Sequence, residues 1–257
     1  MDKHIFSQWQ VALCALFVLA DGLYLPAGPT HWLALLCGAA LSAALLLLIG
    51  KLPGTLLDLV SAVLALLLPL RSLFRLYPFW DYAGLPPLLA AALFLLTACL
   101  LARRGADCLF MWSYPVMLAA GVLLFLSVGV TLPDWETRFL EVPQAVPFLR
   151  ECISTLPGYL AVLLPARLAG DAKAPARGIL LGGVFLSLLS LRTLLLLGGA
   201  VYPYPSYAAA GLAAVGDFLR RCEVVFGAVL VICECTRVAA CFSFLRTAAP
   251  RKAAARR

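Results

Sequence analysis

Apolar residues recur along this chain in eight runs of about twenty positions each, the length at which a helix crosses a hydrocarbon core of about 30 Å. The runs read as 6–27, 31–50, 55–75, 85–102, 109–131, 145–167, 178–201 and 223–245, with polar residues gathered between them. Each predicts a membrane-spanning helix, and together they predict an all-α polytopic membrane protein. Most connections are short. Two are longer, at 132–144 and 202–221, and the second reads as a turn followed by an outer surface helix over 208–221, with Asp217 placed to pair with Arg220 or Arg221. Residues 1–250 read as a single transmembrane domain and 251–257 as a basic cytoplasmic tail.

Composition agrees with the pattern. Hydrophobic residues make up 63% of 257, charged residues only 13%, and the mean hydropathy is +0.98, well above an ordinary soluble domain. The net charge of +7 does not point to nucleic acid, because the cations sit between apolar runs and at the C-terminus. It reads instead as topology. Lys51, Arg103, Arg104, Arg167, Lys173, Arg177 and the tail outweigh Arg71, Arg75, Arg138, Arg150, Arg220 and Arg221 on the other side. Both termini are therefore expected in the cytoplasm, with Arg71 and Arg75 arguing mildly the other way. The N-terminal run lacks a small-residue cleavage site and reads as a retained helix. Of nine cysteines, Cys14, Cys37, Cys99, Cys233, Cys235 and Cys241 fall within apolar runs and read as small buried hydrophobes.

Two runs carry breakers. "LADGLYLPAG", Leu19–Gly28, places Asp21, Gly22, Pro26 and Gly28 where the first helix should still be running. Irregular backbone at membrane depth survives only against protein or a watery cavity, and interrupted helices are where many transporters hold substrate. The plainer alternative is a helix end at the outer interface with Asp21 snorkelling; position alone does not separate the two. The sixth run contains Pro143, Pro147, Pro157, Gly158 and Pro165, with Glu151, Ser154 and Thr155 between them. Pro157–Gly158 predicts a second discontinuity, and breaks in helices one and six match inverted-repeat transporter logic.

Deep charges add a second signal. Arg192 lies in the middle of the seventh run, and Glu234 and Arg237 lie one turn apart in the eighth. Such groups cost several kcal/mol unless paired or hydrated and normally face the bundle interior. An intramembrane network of Asp21, Arg192, Glu234 and Arg237 is expected, in which Arg192 meets Asp21, Glu151 or Glu234; a pathway lining and a structural lock remain equally open. His4 and His31 have no metal-ligand companions, no nucleotide or nucleophile motif occurs, and "LGGVFL" reads as a helix-packing patch. No metal, cofactor or enzymatic activity is expected.

Four stretches carry a family resemblance: "SQWQVALCALFVLADGLYLPAG", "GKLPGTLLDLV", "LLARRGADCLFMWSYPVML" and "YPYPSYAAAGLAAVGDFLRRCEVVFGAVLVICE". In the last, Tyr204–Pro205–Ser206 and Gly216, Phe218 and Arg221 stand at the turn and step that lead into the family's eighth helix. In their order and spacing the chain resembles the B subunit of bacterial spore germinant receptors, the GerAB-type permeases of the amino acid–polyamine–organocation transporter superfamily. The resemblance implies an inverted-repeat bundle with discontinuous helices one and six, here truncated to about eight transmembrane helices where the family has ten. It also implies a bacterial cell membrane or spore inner membrane location, partner A and C subunits, and a small nutrient ligand such as an amino acid. The pocket residues it carries over are Ala20, Asp21 and Gly22 on helix one, and Ser154, Thr155, Pro157 and Gly158 on helix six, with Glu151 near. Three functions follow as expectations: a germinant-sensing subunit, a small-solute transporter or ion-conducting permease, and an accessory subunit that binds nothing.

Overall fold

The computed structural model describes residues 3–26, 28–49, 54–140, 144–169, 173–198, 200, 202–212 and 222–254. These form an all-α bundle, and six of its helical segments are long and apolar enough to cross a membrane: Phe6–Tyr24, His31–Ile49, Gly54–Tyr82, Ala106–Asp134, Lys173–Leu197 and Glu223–Thr247. The chain is a multi-spanning membrane protein.

Helix α1 (Lys3–Leu19) gives way to a 3-10 turn over Ala20–Tyr24, which ends in extended backbone at Leu25 (φ −69°, ψ 128°). Pro26 is the cause, because the residue before a proline is pushed out of the helical region. α2 (His31–Ile49) returns across the bundle, followed by α3 (Gly54–Tyr82), α4 (Pro87–Arg103) and α5 (Ala106–Thr131). At 29 residues, α3 extends seven residues past the end expected at 75. Its length of about 43 Å exceeds the hydrocarbon thickness, and Pro69 and Pro78 are accommodated inside it.

The sixth run forms α6 (Ala145–Leu160) and α7 (Leu163–Ala169), parted at Ala161–Val162. The break was expected at Pro157–Gly158, but α6 runs through both. Pro165 accounts for the shift. In a continuous helix its ring would clash with the carbonyl four residues back, that of Ala161. That carbonyl instead accepts a tighter bond from the Leu164 amide at 3.2 Å. α8 (Lys173–Leu197) lies a few residues earlier than the expected 178–201, and α9 (Pro205–Gly211) and α10 (Cys222–Ala254) complete the fold. Of the expected surface helix, residues 208–211 belong to α9, while 213–221, with Asp217, lie outside the described residues.

α8 is the spine of one half of the bundle, packing against α1 and α2, while α10 packs against α3, α4 and α5. Glycines on α8 allow the close approach. A methyl group at Gly182 would sit 2.6 Å from Val18 Cβ and 2.9 Å from the Ala15 carbonyl, one at Gly178 would sit 2.8 Å from the Val11 carbonyl, and one at Gly183 would strike Ala39 of α2. In lipid, small residues that let backbones touch replace the hydrophobic drive of a soluble core. The "LGGVFL" patch is this packing surface.

Candidate functional site

Where α1 ends, α2, α3, α6 and, through Leu186, α8 converge on its last turn and leave a cavity of about 400 Å³. Asp21, Tyr24 and Pro26 line it from α1 and its extension, and His31 and Leu35 from α2. Arg71 and Arg75 line it from α3, and Ser154, Thr155, Pro157, Gly158 and Tyr159 from α6. Five residues expected from sequence (Asp21, Ser154, Thr155, Pro157 and Gly158) therefore share one cavity. Glycine at 158 matters for the approach, since a Cβ there would lie 3.3 Å from Asp21 Oδ2.

Asp21 is held by protein cations on both oxygens. Its Oδ1 accepts from Arg71 Nη2 at 3.1 Å and Arg75 Nη1 at 3.0 Å, and its Oδ2 lies 3.4 Å from Arg237 Nη1. Behind it, Arg237 Nη2 donates to both oxygens of Glu234 at 2.6 Å, and Ser72 Oγ donates to Glu234 at 2.8 Å. Glu234 and Arg237 are fully buried, whereas Arg71 and Arg75 keep 36% and 37% of their side-chain surface exposed. The expected Glu234–Arg237 pair is thus present and extends to Asp21. Arg192, for which Asp21 was one of three open partners, is not among these cations: α3 supplies two, from residues 71 and 75 one turn apart on one face, and α10 supplies Arg237.

Arg192 stands elsewhere. Its guanidinium bonds to Ser127 Oγ and to the Ser206 carbonyl, and lies 5.0 Å from the Phe226 ring centre. It joins α5, α8, α9 and α10 and meets none of Asp21, Glu151 or Glu234. Gly22 also points away from the cavity, since a Cβ there would meet Leu189 and Leu230 at 3.1 and 3.2 Å. Ala20 is fully buried outside the lining. Glu151 lies outside it too and accepts a hydrogen bond from Thr30 Oγ1 at 2.8 Å, which ties α6 to the start of α2.

The hydroxyls of α6 direct their protons to their own helix. Ser154 Oγ donates to the Glu151 carbonyl at 2.7 Å and Thr155 Oγ1 to that of Cys152 at 2.8 Å. A hydroxyl has one proton, so Ser154 lines the cavity with an acceptor oxygen, while Thr155 Oγ1 lies against α2, where a methyl group at Gly38 would strike it. Tyr159 donates to the Leu35 carbonyl at 2.8 Å, fixing α6 on α2. Tyr24 lies under Arg75, 4.8 Å from the guanidinium carbon, and its hydroxyl has no hydrogen-bond partner among the described residues.

Sequence reasoning missed Arg71, Arg75, Tyr24, His31 and Tyr159. For the two arginines a signal was present: cations four apart, "RSLFR", within an apolar stretch. A third run ending at residue 75 places them at its edge, whereas α3 continues to Tyr82 and carries them inside the helix.

The expected discontinuity in helix one is a helix end, since among the described residues no second half follows Tyr24 before α2, and the parting of α6 from α7 at Ala161–Val162 lies outside the lining; fold and site define a polytopic α-helical membrane protein with a charged cavity at the end of α1. Comparisons with protein-family models, curated proteins and solved structures return no match to this chain.

Proposed function

We propose that this chain is a transporter-like membrane subunit that binds a small nutrient, such as an amino acid, in the cavity at the end of α1, and does so without transforming it. The observation that carries this reading is the meeting of the 3-10 end of α1 with α6 at a cavity of about 400 Å³ holding a carboxylate and two half-exposed guanidiniums. Cavities of this size suit small solutes, and a helix end with charged side chains beside it is one means by which a transporter holds one. The packing supports an inverted-repeat arrangement. The first run packs on the seventh (α1 on α8) and the second on the sixth (α2 on α6), while α2–α8 and α3–α10 pair across. Exchanging runs one to three with six to eight leaves that pattern unchanged. The resemblance to germinant-receptor B subunits makes sensing during spore germination, in the spore inner membrane with A and C subunits, the role we favour. A small-solute transporter is the second reading, favoured by the same exchange symmetry.

The test is saturation binding of radiolabelled L-amino acids to the purified full chain in lipid nanodiscs, comparing wild type with Gly158→Leu. A leucine at 158 projects into the cavity beside Asp21. Saturable binding by wild type and affinity more than about tenfold weaker in a variant of equal thermal stability is the expected result. Unchanged affinity in a folded Gly158→Leu protein rejects the cavity as the site. Counterflow of the bound amino acid in proteoliposomes lacking partners would favour the transporter over the sensor.

A further inference from the structure

An acid such as Asp21 has two roles open at this depth, partner of a protein cation or seat for a ligand's ammonium group, and the second would make this a cation site. The side chains around it reverse that polarity. Both carboxylate oxygens of Asp21 are already engaged by arginines, so the acid has little left to offer a cation. The cluster contains three guanidiniums (Arg71, Arg75 and Arg237) and two carboxylates (Asp21 and Glu234), an excess of one positive charge at membrane depth. That excess is not spread evenly. Arg237 is sealed against Glu234 with no exposed surface, whereas Arg71 and Arg75 each touch Asp21 through a single nitrogen and keep over a third of their surface exposed. Each guanidinium carries five N–H donors in a planar fork. Two such forks, one turn apart on α3 and steadied by the same Asp21 oxygen, present an array of charge-assisted donors matched to a carboxylate. On the α6 side, the proton of Ser154 is committed to its own helix, which leaves its oxygen as an acceptor.

We infer that the cavity recognises its solute by a carboxylate, bound on Arg71 and Arg75, with the ammonium of a zwitterionic solute accepted by the hydroxyl oxygen of Ser154. Asp21 is a positioning residue that holds the two arginines apart and aimed, rather than a contact to the ligand's cation. This rests on the reading of the cavity as a solute site and assigns the polarity with which it is filled.

Arginine modification tests it without altering the fold. The purified full chain in nanodiscs is treated with phenylglyoxal, and adducts at Arg71 and Arg75 are followed by peptide mass spectrometry. The exposed Arg103 at the end of α4 serves as the internal reference. Three arms are run: no addition, a mixture of neutral L-amino acids, and an equal mixture of the corresponding amino acid amides, which keep the ammonium and side chain but lack the carboxylate. At saturating amino acids, modification at Arg71 and Arg75 is expected to slow by roughly tenfold, as for any group shielded in the bound state, with Arg103 unaffected and amides giving no protection. Equal protection by amides overturns the inference while leaving a solute site in place. Protection by neither mixture overturns both the inference and the proposed function.

Discussion

Arg237 and Arg71 both reach Asp21, yet their loss should have very different consequences. Arg237 is buried between two acids and bonds Glu234 at 2.6 Å. Replacing it with alanine strands buried carboxylates, a change that costs about 3–5 kcal/mol. Arg71 is over a third exposed, and Arg71→Gln leaves Asp21 with Arg75 and Arg237, so its cost should be under about 1 kcal/mol. Thermal unfolding in one lipid composition separates the two: a large drop for Arg237→Ala and a small one for Arg71→Gln. Comparable losses would contradict the buried and exposed roles assigned here. At this scale the sequence was informative about depth and uninformative about partners. Asp21, Glu234 and Arg237 stood out because charge in an apolar run needs company. Which company depends on helices distant in the chain, and Arg192, equally conspicuous, turned out to meet a serine, a carbonyl and an aromatic ring.

Helix packing gives the next level its own prediction. Gly182 faces α1 so closely that an added methyl would lie 2.9 Å from the Ala15 backbone carbonyl, whereas a methyl at Gly129 on α5 meets nothing within 4 Å. Gly182→Ala should therefore destabilise the fold by about 1–3 kcal/mol through overpacking. Gly129→Ala should be neutral or stabilising by up to about 1 kcal/mol, from helix propensity. Unfolding of the two variants, measured side by side, checks this, and equal stability would show that α8 does not rely on its glycines against α1. Helix existence was readable from apolar run length, and the end of α1 from Pro26. The break in the sixth run was misplaced because a proline's ring acts on the carbonyl four residues before it. Pro165 thus breaks the chain at Ala161, while Pro157 is absorbed within α6.

Across the whole molecule, the composition made the solvent plain, but not how the helices pair. The cavity came into view only when α3 was placed beside the end of α1, bringing "RSLFR" onto Asp21; nothing in either stretch encodes the other. α6 turns Ser154 toward the cavity proposed to hold the solute and its neighbour Ile153 away from it. Ile153 is exposed on the bundle surface and absent from the cavity lining, whereas Ser154 lines it. Separate Ser154→Cys and Ile153→Cys variants of the full chain in nanodiscs can be exposed to a charged methanethiosulfonate, which reacts with thiols that water reaches, and the adduct quantified by mass spectrometry. The prediction is modification at position 154, slowed by a mixture of neutral L-amino acids, and little reaction at 153 at nearly the same depth. Equal inertness at both positions, or reaction at 154 that no amino acid slows, would contradict it.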